Sequence, residues 1–121
     1  MPWEFDNRLP IYVQLVDRLE QAIVSGAFAP GEKVDSVREL ASQAGVNPNT
    51  MQRALAELEQ EGLIYAQRTA GRFVTDDKEL IVRMRNRIAN DQIKRLFETL
   101  LELGYSQEEL KRLVQDYFAQ Q

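Results

Sequence analysis

The chain contains neither cysteine nor histidine among its 121 residues. The lack of cysteine excludes disulfides and thiolate chemistry, and the lack of histidine removes the commonest general base and the commonest metal ligand. Carboxylates are present, but no pair of them lies in an apolar, glycine-bounded setting. We therefore expect a protein that is not an enzyme and that needs no metal and no cofactor.

Long apolar runs are also missing, so no segment of the sequence is expected to span a membrane. The N-terminal sequence Met-Pro-Trp-Glu-Phe-Asp lacks the basic and apolar regions of a signal peptide. Hydrophobic residues nevertheless make up 44% of the chain and charged residues 28%, which is typical of a folded domain. We expect a cytoplasmic protein with one ordinary core and at most a small appendage.

The acidic residues are distributed unevenly. The net charge is -4, which alone would argue against a nucleic-acid partner. However, no acid occurs between Glu39 and Glu57, and none occurs between Glu61 and Asp76. A surface that approaches phosphates must exclude carboxylates locally, so the two gaps indicate a surface that faces nucleic acid. The arginines in or beside the gaps are Arg38, Arg53, Arg68 and Arg72.

A stretch beginning at Ser36 predicts two short helices joined by a tight turn. Ser36 with Glu39 three residues later has the form of a capping box. Gly45 tolerates the positive φ that ends a helix. Asn47 then offers a new N-cap, with Pro48 at the first helical position. Two helices joined in this way form a helix-turn-helix.

Patterns on both sides of this motif complete a winged domain. Apolar residues recur every four positions from Ile11 to Ile23, which predicts a helix. Residues 63–67 and 72–75 resemble two strands joined by a turn at 68–71. A hairpin directly after a helix-turn-helix is the wing of a winged helix. We therefore expect a winged helix-turn-helix DNA-binding domain over residues 1–76.

Residues 77–121 predict a tail of two helices. Asp76 with Glu79 resembles a capping pair before a long helix, and Ser106 with Glu109 forms a capping box before a shorter one. A hairpin of two helices has too little interior to bury both apolar stripes. Burial of about six large side chains, at ~1.5–3 kcal/mol each, would stabilise a partner interface. We expect a twofold homodimer with Ile88, Ile93, Leu96, Phe97, Leu100, Leu113 and Tyr117 in its interface.

Several ordered motifs resemble the GntR family of bacterial transcription regulators over roughly the first 75 residues. They include Pro-Ile-Tyr-Val-Gln-Leu from Pro10, Ser-Val-Arg-Glu-Leu-Ala from Ser36 and Gly-Arg-Phe-Val from Gly71. The short tail resembles the YtrA-type branch. The resemblance implies a mainly α fold with a small β-wing, a winged helix-turn-helix followed by an α-helical hairpin dimerisation tail. Asp35 and Thr69 depart from the usual proline and glycine, so operator preference need not follow the common pattern.

The second helix of a helix-turn-helix enters the major groove, where its N-terminal residues reach the bases. Gln52 suits adenine, and Arg53 suits guanine or a phosphate. The resemblance implies a DNA contact from Arg38, whose alternative is an ion pair with Glu39 or Asp35. Arg68 and Arg72 are expected at the tip of the wing, where they could reach the minor groove or its phosphates. The alternative is that both are solvated turn arginines. The expected DNA-binding residues are Arg38, Asn47, Asn49, Thr50, Gln52, Arg53, Arg68, Gly71 and Arg72.

These patterns lead to two hypotheses. The first is a homodimeric transcriptional repressor that binds an inverted-repeat operator in double-stranded DNA. The alternative is a winged-helix protein–protein interaction module that no longer reads DNA, which the acidic net charge favours. The family resemblance also implies a small-molecule effector, although no residue of the tail marks a pocket for it.

Overall fold

The computed structural model describes residues 3–121, and this part of the chain is mainly helical with one small antiparallel sheet. The order of the elements matches the predicted winged helix-turn-helix with a two-helix tail. The elements are α1 (Ile11–Val24), α2 (Val37–Ala44), α3 (Pro48–Gln60), β1 (Ile64–Gln67), β2 (Gly71–Val74), α4 (Lys78–Glu102) and α5 (Gln107–Ala119).

The described residues divide into two compact units, of which the first ends at Arg85 and the second runs from Asn86 to Gln121. The core of the first unit lies where α1 and α2 pack on α3. The apolar stripe of α1 predicted from its four-residue spacing is buried, because it faces the equally apolar side of α3. The largest fully buried side chains are Leu15, Leu19, Ile23, Leu40, Met51, Leu55, Leu58, Leu63 and Val74.

Local capping residues define the helix-turn-helix. The Ser36 hydroxyl accepts a hydrogen bond from the Glu39 backbone N–H at 3.1 Å, as predicted for an N-cap. The second half of the predicted capping box differs, because the Glu39 carboxylate accepts from the Ser36 hydroxyl. Gly45 ends α2 in the left-handed region at φ 71°. The carbonyl oxygen of the Asn47 side chain caps α3, and Pro48 follows it.

The wing is held by backbone hydrogen bonds on both edges of β2. One edge pairs with β1 from Ile64 opposite Val74 to Gln67 opposite Gly71. The other edge receives the segment 31–34, with a bridge between Lys33 and Phe73 and bonds such as the Val34 N–H to the Arg72 carbonyl at 2.9 Å. The segment 31–34 is therefore a short stretch of backbone pairing against β2.

The first compact unit includes the start of α4. Ile81 and Met84, in the first turns of α4, are buried within it. A Cβ at Gly62 would lie only 3.4 Å from Leu80 Cδ2, so α4 begins close against the end of α3. These buried side chains belong to the compact unit that ends at Arg85.

The residue that caps α4 is Asp77 rather than the predicted Asp76. The Asp77 carboxylate accepts from the Leu80 N–H at 3.1 Å. The Asp77 N–H in turn donates to the Thr75 hydroxyl at 3.1 Å. This bond positions the second of two adjacent aspartates at the helix start, and sequence alone does not distinguish the two.

The second unit is a helical hairpin with little interior. Ser106 and Glu109 form the predicted capping box with both hydrogen bonds present. Leu110 is the buried hydrophobic residue of this unit, at 4% exposed. Within residues 3–121, none of the helices is both long enough and apolar enough to cross a membrane.

Candidate nucleic-acid interface

The outer face of α3 is polar and exposed, as predicted. Asn49, Gln52 and Arg53 are exposed, whereas Met51 and Leu55 on the opposite face are almost completely buried. Thr50 is half-buried beside them. This face is free of acids and presents amide and guanidinium groups, which can pair with base edges in a major groove.

The N-terminus of α3 is tied to the preceding turn. Asn47 Oδ1 accepts the Asn49 N–H at 2.7 Å, so the oxygen of this predicted DNA-binding residue is engaged in capping. An open groove of about 490 Å³ lies beside this helix start. It is lined by the N-terminal arm, the start of α1 and the turn, with Phe5, Asn7, Ile11, Gly45, Val46, Asn47 and Thr50. The first turn of α3 is therefore accessible to solvent.

Arg53 is held by an aromatic ring on another helix. Its guanidinium carbon Cζ lies 3.8 Å from the centroid of the Tyr12 ring on α1. This is a cation–π distance. Among the described residues, Arg53 makes no ion pair and no side-chain hydrogen bond. The contact uses the face of the ring, so the N–H groups of the guanidinium have no acceptor within the described part of the chain.

Arg38 is exposed on α2 and lacks the ion pair that was its alternative explanation. The Asp35 carboxylate accepts from the Gln43 side-chain amide at 3.1 Å, and the Glu39 carboxylate accepts from the Ser36 hydroxyl. Both candidate acids are thus bonded elsewhere. In the part of the chain that the structure describes, Arg38 has no acidic partner.

The wing arginines occupy different positions. Arg68 lies exposed in the turn between the strands. Arg72 was predicted at the wing tip, but it is the second residue of β2, and its Nε donates to the Glu59 carboxylate on α3. This ion pair is half-buried and links the wing to α3. Arg72 points from the strand toward the end of α3, where Glu59 lies just beyond the acid-free face.

Gly71 pairs with Gln67 beside the turn of the wing, where the backbone passes close to Lys33. It has φ 99°, and a Cβ at this position would lie 3.3 Å from Lys33 Cε. Any other residue would strain the backbone. This predicted DNA-binding residue thus has a structural reason to be glycine.

Sequence patterns did not identify Tyr12 or Glu59 as part of this surface. The signal for Glu59 was its place between an acid-free run and a basic wing. Tyr12 had no local signal, since its contact depends on how α1 packs on α3. Among residues 3–121, no group of three or more His, Cys, Asp or Glu is placed to hold a metal ion.

The predicted dimerisation residues leave much apolar surface uncovered in the second unit. Ile93 is 51% exposed, Leu96 is 52% exposed and Tyr117 is 59% exposed. Leu113 is exposed, and Ile88, Phe97 and Leu100 are half-buried. An open groove of about 480 Å³ lies between α4 and α5, lined by Phe97, Leu101, Gln107, Leu110, Lys111, Val114 and Gln115.

An exposed polar second helix beside a two-stranded wing defines a winged helix-turn-helix protein. Residues 11–74 match the family described as bacterial regulatory proteins, gntR family. The match spans more than half of the chain. The chain belongs to the GntR family of transcriptional regulators, as its motifs predicted.

The similarity to known members extends into the tail. The chain is 34% identical to the HTH-type transcriptional repressor YtrA of Bacillus subtilis, over 86% of this chain and 78% of that protein. A GntR family transcriptional regulator from Listeria monocytogenes has a similar structure, with a TM-score of 0.85 and 39% identity, covering 93% of this chain and 98% of that chain. The DNA-binding domain of AraR, solved with operator ORX1, matches with a TM-score of 0.56 and 28% identity over 62% of this chain and 95% of that chain.

Proposed function

We propose that the protein is a sequence-specific DNA-binding repressor that acts as a homodimer on an inverted-repeat operator. The observation that carries the proposal is the exposed, acid-free face of α3, where Arg53 has no hydrogen-bond acceptor among residues 3–121 and Arg68 lies on the adjoining wing. The YtrA repressor of Bacillus subtilis and the operator-bound AraR domain support it by similarity.

In this proposal α3 enters the major groove with its N-terminal turn leading. Gln52 would accept and donate at an adenine edge, and Arg53 would donate to guanine or to a phosphate. Backbone N–H groups at the start of α3 would add a phosphate contact. Arg38 and Arg68 would bind the DNA backbone, which sets the register of the reading helix.

The homodimer follows from the uncovered apolar side chains of the second unit. Leu96, Leu113 and Tyr117 are 52%, 40% and 59% exposed in the single chain. A twofold partner that presents the same surface would remove them from water. Two reading helices related by this axis would contact half-sites about one helical turn apart, roughly 10 bp or a multiple.

The proposal is tested by fluorescence anisotropy with a labelled duplex from the DNA upstream of the protein's own gene. We expect affinity to fall steeply between about 50 and 200 mM salt, because arginine contacts release counterions from the phosphates. Arg68→Gln should reduce the slope of log K against log salt by about 1. Arg112→Gln, at an exposed arginine on α5, is the matched control and should leave the slope unchanged.

Absent binding, or an affinity that is flat across the salt series, would contradict the proposal and favour the protein-interaction module. A slope lowered equally by Arg68→Gln and Arg112→Gln would show a general charge effect rather than a wing contact.

A further inference from the structure

The contact between Tyr12 and Arg53 joins the start of α1 to the exposed face of α3. The Arg53 guanidinium carbon lies 3.8 Å from the ring centroid of Tyr12. Tyr12 is half-buried and Arg53 is exposed, so the ring is fixed by its surroundings while the cation faces outward. The aromatic group is therefore the more constrained partner.

A stacked arginine differs from an ion-paired one in what remains available for a ligand. Arg72 on the wing donates its Nε to the Glu59 carboxylate, so that donor is engaged. Arg53 contacts Tyr12 through the ring face and makes no ion pair within the described chain. The bidentate donor fork that recognises the O6 and N7 acceptors of guanine is thus not engaged by any residue that the structure describes.

When a long side chain is already held in place, less side-chain conformational entropy is lost as that side chain binds DNA. A free arginine surrenders much of its rotamer freedom on contact with DNA. A ring that already restricts the guanidinium removes part of this cost before binding. The same restriction favours one direction of the donor fork over others.

We infer that Tyr12 is a positioning residue for Arg53 and sharpens its preference for a particular base pair without itself touching DNA. This inference rests on the proposed DNA-reading function of α3. It adds a specificity-determining residue on α1, a helix outside the helix-turn-helix.

The stack is first tested in the protein without DNA. In NMR spectra of the full chain, the Arg53 side-chain protons should be shifted upfield by the Tyr12 ring. Tyr12→Phe keeps the ring and should preserve the shift, whereas Tyr12→Leu should abolish it. An Arg53 spectrum that is the same in all three proteins would overturn the inference, whatever the protein does with DNA.

The second test is a double-mutant cycle on a duplex that the wild-type protein selects from a randomised pool. Tyr12→Leu should weaken binding by about two- to fivefold, as expected for an exposed cation–π contact, and Tyr12→Phe should remain close to wild type. In the Arg53→Ala background, Tyr12→Leu should have no further effect. At the base pair whose preference Arg53→Ala relaxes, Tyr12→Leu should relax preference too.

Thermal unfolding of every variant separates positioning from folding. If Tyr12→Leu weakens binding equally with and without Arg53, Tyr12 acts through the fold or through its own DNA contact, and the inference is wrong. If the wild type binds its duplex but the cycle shows no coupling, the inference fails while the proposed function stands. If the pool yields no binding sequence, the proposed function fails and the positioning role fails with it.

Discussion

The arginines of the candidate interface differ in what holds each guanidinium. Arg53 stacks on Tyr12, and Arg72 is bonded to the Glu59 carboxylate. To bind a phosphate, Arg72 would have to break its half-buried ion pair with Glu59. The free energy lost with that ion pair would offset part of the free energy gained from the phosphate contact. Arg68 in the wing turn has no such partner within the described residues. We therefore expect Arg53 and Arg68 to contribute more to DNA affinity than Arg72.

If Gln52 hydrogen-bonds to a base, its substitution should change the preference of the protein at a single base pair. Gln52→Ala should reduce discrimination at one base pair by ~1–3 kcal/mol, because a bidentate amide contact to adenine is lost. Binding to duplexes changed at that pair should then become nearly equal. The measurement is competition between duplexes that carry each substitution in turn.

Gln60→Ala is the matched control, since Gln60 is an exposed glutamine at the other end of α3. It should leave the preference at every base pair unchanged. Uniform weakening of all duplexes by Gln52→Ala would instead assign Gln52 to the DNA backbone.

The exposure of Gln52 and Arg53 could be predicted from the 3.6-residue period, because Met51 and Leu55 define the buried face. Their partners could not be predicted. The Tyr12–Arg53 stack depends on how two helices distant in sequence pack together. The position of Arg72 within β2 rather than at the tip depends on the register of the hairpin, which composition alone does not fix.

At the scale of elements, the helix starts follow from local chemistry. Ser36, Asn47 and Ser106 each cap the helix that the sequence assigned to them. These bonds span two or three residues, so a sequence pattern contains all of their participants. The start of α4 was misplaced by one residue because the Thr75 hydroxyl, outside the capping pattern, selects Asp77.

The capping box of α5 can be tested by hydrogen exchange in the full chain. Ser106→Ala removes the acceptor of the Glu109 N–H and should lower protection in the first turn of α5 by about fivefold, as loss of a typical N-cap predicts. Ser106→Thr keeps an acceptor and should retain most of the protection. Equal losses in the two variants would contradict the cap.

The same box predicts a dependence on pH. Hydrogen bonds from the Ser106 backbone N–H, and then from its hydroxyl, hold the pKa of Glu109 below its usual range. A lowered folded-state pKa contributes stability above the ordinary pKa of glutamate, and this contribution is lost as pH falls through the lowered value. The difference in protection between wild type and Ser106→Ala should therefore narrow in acid.

At the scale of the whole molecule, the second unit buries very little of its own apolar surface. Leu110 is buried at 4% exposed, while Leu103 and Phe118 are each 68% exposed. The sequence predicted this shortage from the size of a two-helix hairpin. The burial of Ile81 and Met84 in the first unit depends on tertiary packing, which the sequence pattern does not contain.

Leu96→Glu tests whether a second copy covers the tail. Leu96 is 52% exposed, so a glutamate is tolerated by the single chain but would place a charge in a dimer interface. Light scattering should show a dimer for wild type and a monomer for this variant. An unchanged mass would contradict the tail interface.

Leu9→Glu is the matched control for this measurement. Leu9 has nearly the same exposure, 53%, and lies before α1 in the first unit. The Leu9→Glu protein should still have the mass of a dimer in light scattering. A monomer in both variants would point to a general effect of added charge.

The doubly bonded strand β2 has a consequence for how the wing can change over evolution. Its neighbours on both edges, β1 and the segment 31–34, fasten the base of the hairpin through main-chain bonds that do not depend on side-chain identity. The turn at residues 68–70 lies outside these pairings. Insertions or substitutions there leave the base intact, so descendants of this protein can exchange the tip for a new target without rebuilding the domain. The segment 31–34 also occupies the outer edge of β2, so a strand of another chain cannot add to that edge of the sheet.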